Sequence, residues 1–248
     1  MITDVSTVSA LMDVWQSSFG DDRETVSLFF ETAYHPSRTR YLREGGEIVA
    51  SLYWFDCLAH GRPIAYLYAI ATDSKHRGKG YCKALMRETH EHLAASGYAG
   101  AILVPAEPSL FDFYAKLGYR TCSYVNCFTC IGAKEKVRVS AVSKDAYAAK
   151  RRQLLPEGSV IQENENLDYL AAQYGLYKSS NALFAARREG DALYVTELLG
   201  DPALAPGLVS ALGAEAGHFR TPGAETPFAM YLALDGTPPP TYFGLAFD

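Results

Sequence analysis

The sequence predicts an α/β fold, a mixed central sheet flanked by helices, built once and then repeated in a weaker form. Three observations predict it. Two amphipathic helical stretches precede three β-rich segments, and a basic, glycine-punctuated turn joins the third of these to another amphipathic helix. After a polar connector, the second half of the chain lays down a similar order.

Residues 8–19 and 24–33 repeat apolar side chains at helical spacing. A hairpin over 38–57 turns at Glu44-Gly45-Gly46 and feeds IAYLYAIAT, a β-branched and aromatic run that ends at Thr72. DSKHRGKGYCKAL follows. Gly78 and Gly80 let successive N–H groups converge on an anion, and the helix opening there adds the positive end of its dipole. Such a junction either grips a phosphate or merely turns the chain. Lys75, His76, Arg77, Lys79, Lys83 and Arg87 gather here in a chain of formal net charge -5, which favours a polyphosphate ligand. The turn is no Walker loop, since Gly80 follows Lys79, and GxGxxG is absent here. Cys82, Leu85, Met86, Thr89 and Leu93 form the inner helix face, and Gly97 stops it. After the strand AILV, Ser109 and Asp112 form a capping-box pattern; Leu110, Phe113, Tyr114 and Leu117 share one face, and Gly118 ends the helix. By its residues alone, Tyr114 is a core tyrosine with a hydrogen-bonded hydroxyl.

At these residues the chain resembles the GCN5-related N-acetyltransferases (GNAT). Their signature, Gln or Arg, two residues, Gly, one residue, then Gly or Ala, matches Lys75 to Gly80 with Lys at the first position. FYAKLGY resembles the family's tyrosine helix, and the two motifs together span residues 64 to about 130. The resemblance implies a GNAT fold and acetyl-CoA as cosubstrate. Main-chain groups of Ile70, Ala71 and Thr72 would pair with the pantetheine arm like an added strand, and Lys75, Arg77, Gly78, Lys79, Gly80 and Tyr81 would hold the pyrophosphate. Tyr114 would serve as general acid toward the departing sulfur while a primary amine, on a small molecule or peptide, attacks directly. A non-catalytic acyl-CoA-binding or sensing protein is the alternative. Glu107 stands where the family has an asparagine; it is either the base that deprotonates the amine or a solvated helix-start carboxylate. Asp56 and His60 are further candidates. Similarity to the enhanced intracellular survival acetyltransferases implies a C-terminal carboxylate, here Asp248, as another.

The polar connector GAKEKV places a boundary between a GNAT catalytic domain over 1–131 and a degenerate GNAT-like α/β domain over 138–248, on the acceptor side or structural. Helices are expected over 144–155 and 167–174, strands over 182–188 and 193–199 around Glu189-Gly190-Asp191, then a turn and helix, and strands at FAMYLAL and YFGLAFD. Laying Asp201 on Asp73 puts Pro206 in place of the first signature glycine. A proline has no N–H to offer, and the basic residues are gone, so one acetyl-CoA is expected per chain, in the first half. Chance likeness of two strand-helix units is the competing reading of the overlay.

Composition narrows the classes. Five cysteines without framework spacing suit reduced thiols in a cytoplasmic protein. Cys127 and Cys130 form a CxxC without a second pair, and their strand-like neighbours suggest burial; His90 and His92 face different ways on a helix, so no metal site is expected. The acidic balance argues against nucleic acid, and no run of eighteen apolar residues suggests a membrane span. Trp15, Phe19, Phe29, Phe30, Tyr34, Tyr53, Trp54, Tyr66 and Tyr68 line a pocket or fill the core.

Overall fold

The computed structural model describes residues 5–135 and 137–247. Helices α1 (Val5–Phe19) and α2 (Arg23–Thr32) lead into strands β1 (Thr39–Glu44), β2 (Glu47–Ala59) and β3 (Arg62–Thr72). The glycine turn then opens α3 (Tyr81–Ala95), followed by β4 (Gly100–Leu103), α4 (Pro108–Ala115) and β5 (Arg120–Ile131). The second half comprises β6 (Ser140–Ala141), α5 (Lys144–Leu154), β7 (Ile161–Gln162), α6 (Glu165–Gln173), β8 (Gly175–Lys178), β9 (Ala182–Glu189), β10 (Ala192–Gly200), α7 (Ala205–Ala211), β11 (Ala216–Pro222) and β12 (Thr226–Ala233). Among the described residues, no helix is long and apolar enough to cross a membrane.

All but β7 join one continuous path ordered β1-β2-β3-β4-β12-β5-β11-β10-β9-β8-β6. Up to β8 this order is a palindrome. In each half two antiparallel ladders precede one parallel ladder, β3 with β4 and β10 with β11. Each half then exchanges its last strand: β12 lies between β4 and β5, and β5 lies against β11. The second half therefore repeats the topology of the first. The overlay of Asp201 on Asp73 holds at atomic detail, since each carboxylate caps a single 3₁₀ turn by accepting the N–H two residues on, at 2.9 Å.

Three expectations need correction. Ser109 is not a helix cap: Glu107 is the cap residue of α4, Pro108 occupies the first turn where its missing N–H costs nothing, and the Ser109 hydroxyl instead bonds the Glu107 carboxylate at 3.4 Å. Cys127 is exposed, because alternate residues of β5 face the open side of the sheet. The described part of YFGLAFD, residues 242–247, forms no strand. Its single bridge is Tyr242 to Ser159, and residues 242–247 are buried by threading through the core with polar groups met by side chains. Gln162 exchanges two bonds with the Leu245 main chain, and the Ser123 hydroxyl accepts the Phe243 N–H.

Candidate active site

The site begins where two strands part. The parallel ladder of β3 and β4 ends at Tyr66 and Ile102, while β3 runs on to Thr72. Beyond that rung a cavity of about 610 Å³ opens, walled on one side by residues 67–70 and on the other by 103–106. β3 is distorted here: Tyr53 faces Tyr68 but Ser51 faces Ala71, so one extra residue is accommodated, and Ala69 takes a left-handed φ of +44°. A bulge of this kind re-aims main-chain groups, and a non-glycine residue in that region stores about 1–3 kcal/mol of strain.

At the outer end of the wedge lies the glycine turn. A second cavity of about 400 Å³ is lined by Arg77, Gly78, Gly80, Tyr81 and Lys83, and it shares Phe19 and Ile70 with the first. Gly78 and Gly80 have φ of +78° and +85°, and a Cβ built on either meets nothing within 4 Å. The space a side chain would fill is open, as a phosphate cradle requires. Lys75 and Lys79 are exposed. The Arg77 guanidinium turns back to the carbonyls of Ser18 (2.9 Å) and Thr72 (3.4 Å), bracing α1 against the turn. The Ala71 side chain packs into the core beneath α1, and Thr72 lines the smaller cavity.

Tyr114 closes the wedge from above. It is 7% exposed, lines the large cavity and packs on Phe113 and Tyr119. Burial, with the neighbouring Cys82 thiol a smaller influence, holds its hydroxyl protonated well above the ordinary tyrosine range. Cys82 is itself pushed up to about 11 by burial, so it is a thiol rather than a nucleophilic thiolate. The other base candidates stand apart. Glu107 is exposed at the α4 cap, Asp56 accepts the Tyr98 hydroxyl at 2.5 Å, and neither these nor His60 lines the cavity. Asp248 lies outside the described residues.

Of the aromatic residues singled out, Trp15, Phe19, Tyr66 and Tyr68 line the cavity, whereas Phe29, Tyr53 and Trp54 are core. Sequence reasoning missed Asp21, Tyr169, Arg187, Phe228 and Phe247, which complete the wall. No local pattern marks them, because they converge from distant stretches of the chain.

At the matching wedge in the second half the protein's own groups cross between the strand ends, and a cavity of about 440 Å³ lies beside them, lined by Tyr194, Thr196, His218 and Arg220. The parallel ladder here ends at Val195 and Phe219. Past that rung the Arg220 guanidinium donates to the Thr196 carbonyl (2.8 Å) and to the Ala246 carbonyl (3.3 Å). Beside it the fully buried Glu197 pairs with Arg151 through two bonds of 2.7 and 2.9 Å and accepts the Tyr242 hydroxyl. Gly244 crosses over this pair where any Cβ would collide with the Glu197 carboxylate.

Residues 3–122 match the family described as the acetyltransferase (GNAT) domain. This stretch is a GNAT domain. Its match covers the bulged strand, the glycine turn and the tyrosine helix. No curated protein matches the sequence. Among solved structures, a probable N-acyltransferase from Enterococcus faecalis V583 is 18% identical, with 93% of this chain and 71% of that one covered at a TM-score of 0.69. A GCN5-related N-acetyltransferase from Anabaena variabilis ATCC 29413 is 12% identical over 93% and 71%, at 0.73. A tandem GNAT protein from the clavulanic acid biosynthesis pathway is 11% identical over 95% and 97%, at 0.59. At such identities the likeness is one of fold, and it extends the GNAT architecture past the matched domain into the second half.

Proposed function

We propose that the chain is an acetyl-CoA-dependent N-acetyltransferase with a primary amine of a small molecule or peptide as acceptor, and that it takes one acetyl-CoA per chain. The observation that carries this is the wedge past Tyr66 and Ile102, with an open glycine cradle at one end and a buried, protonated tyrosine over its middle. Acetyl-CoA would supply an activated acetyl thioester and a leaving thiolate. The N–H groups of Gly78, Lys79, Gly80 and Tyr81 would hold the pyrophosphate at the start of α3, and the open edge of β3 over Ile70 to Thr72 would hold the arm.

Tyr114 keeps its proton at neutral pH because burial disfavours the phenolate, so it can donate to the departing sulfur. A main-chain N–H freed from the ladder by the bulge at Ala69 would meet the charge that develops on the reacting carbonyl oxygen. The walls supplied by Tyr169, Phe228 and Phe247 make the second half the acceptor side and limit water. The second half has Pro206, without an N–H, where the first has Gly78, and no cluster of basic residues at that turn, so one cosubstrate per chain is expected.

A thiol-release assay over a broad amine panel, paired with calorimetric titration, tests this. Tyr114→Phe is expected to lower kcat by about 10- to 1,000-fold while acetyl-CoA affinity is kept, within the usual worth of a positioned acid. Full activity in that variant returns Tyr114 to the core. Tight binding without turnover of any amine supports a sensor instead, and two equivalent sites per chain remove the assignment of the second half.

A further inference from the structure

One stretch of the cavity wall is made of rings. Trp15, Tyr68, Tyr169 and Phe247 meet edge to face, with centroids 5.5, 5.9 and 5.0 Å apart along the series. The hydroxyls of Tyr68 and Tyr169 bond each other at 3.2 Å, which leaves ring faces and edges as most of the surface on this side. Rings so arranged suit an apolar body and, through their quadrupoles, a cation.

Among the described residues lining this cavity, Asp21 is the one carboxylate and Arg187 the one cation. The Trp15 indole N–H donates to Asp21 Oδ2 at 2.7 Å and so fixes the carboxylate against the ring wall. Burial keeps the Tyr68 and Tyr169 hydroxyls protonated, and the Asp21 charge adds to the effect on both, which places that charge toward the rings. Arg187 pairs with Glu189 at 2.9 Å and lies over the Tyr174 ring at 5.2 Å. A ligand with one ammonium finds a partner at Asp21. A second ammonium finds no second carboxylate among the described lining residues and is repelled by the Arg187 guanidinium.

We infer that the acceptor is a primary amine with a single positive charge on an apolar, ring-sized body: its ammonium is bound at Asp21, gives a proton to that carboxylate, and the freed nitrogen attacks the acetyl carbon as the thiolate leaves with the Tyr114 proton. This rests on the acetyltransferase function proposed above. Asp21 then decides which amines enter, and the rings decide what the amine is attached to.

The test uses the full chain and four amines: phenethylamine, tryptamine, putrescine and spermidine, each with acetyl-CoA in a thiol-release assay. The two ring amines are expected to exceed the two polyamines in kcat/KM by about tenfold or more, the scale on which an apolar pocket discriminates. Asp21→Asn keeps an oxygen for the Trp15 N–H but loses the charge. It should raise KM for the ring amines by about 10- to 100-fold, the worth of a hydrogen bond to a charged group, while KM for acetyl-CoA stays within about twofold. Polyamines turned over as well as ring amines overturn the inference, as does an unchanged amine KM in a folded Asp21→Asn. Because the amine panel is run on the unaltered chain, the inference stays testable if the variant fails to fold. Acetyl-CoA affinity, measured separately by calorimetry, distinguishes the two levels: if the cosubstrate binds and no ring amine is acetylated, only the acceptor inference falls, and if it does not bind, the acetyltransferase function falls with it.

Discussion

Glu44, at the β1–β2 turn, already pairs with two basic residues of the phosphate turn. Its carboxylate lies 3.5 Å from Lys79 Nζ and 3.7 Å from His76, and a hydrogen bond from Tyr81, followed by the charges of Lys79 and His76, holds it below the usual carboxylate range. An incoming pyrophosphate must compete for the same groups. Glu44→Gln is therefore expected to tighten acetyl-CoA binding by about 2- to 5-fold, the scale of an exposed ion pair. Calorimetric titration of the variant checks it, and weaker binding would mean that Glu44 shapes the turn instead. The sequence made Gly78, Gly80 and Tyr114 legible because each sits in a short pattern whose residue types the local chemistry dictates. Asp21, Arg187 and Phe247 gave no such signal, since their meeting depends on how elements more than a hundred residues apart pack.

Among elements, the ones read from sequence are those with a period of their own. The helices α1, α2, α3 and α5 fall within a few residues of their apolar repeats, as do the hairpin strands flanking Gly45-Gly46 and Gly190. β11 was not legible: AGHFRTP carries glycine, histidine, arginine and proline, and it is a strand because β10 and β5 flank it. Residues 242–247 looked like a strand because they are apolar, yet past the bridge at Tyr242 the main chain of Phe243, Leu245 and Ala246 is met by Ser123, Gln162, Thr196 and Arg220 rather than by a ladder. The placement of β12 could not be read at all, because strand order is a long-range property. It has a sharp consequence for dissection. β4 and β5 have no ladder with each other; Met230 to Ala233 pair with β4, and Thr226 to Tyr231 with β5. A fragment ending near residue 136 loses that strand and exposes two sheet edges, so it is expected to show no cooperative thermal unfolding, and co-expression with the remainder should restore it. Circular dichroism melting of the fragment decides this, and a sharp transition in isolation would show that the first half stands alone.

The molecule as a whole is rich in protons that burial will not release. Tyr53, Tyr68, Tyr119, Tyr147 and Tyr242 are all raised above the ordinary value of 10.0 by burial. The Cys82 and Cys122 thiols are pushed up from 9.0 to about 11 and about 12 by the same cause. Raised folded values mean that the unfolded chain gives up these protons first. Stability from these groups is fully present below the ordinary thiol value and is lost as pH rises through the folded values. The urea midpoint should hold steady from about pH 7 to 8.5 and fall clearly by about pH 10.5, as the linkage relation requires. A flat profile to that pH would show that burial does not hold these protons. The exchanged strands bear on synthesis as well. The turn, the bulge and the tyrosine helix leave the ribosome early, but the sheet that aligns them stays open until residues 226–233 have followed, so the nascent first half must wait with unpaired edges in the cell. Chaperones that shield β-edges should therefore engage this chain between the emergence of β5 and that of β12.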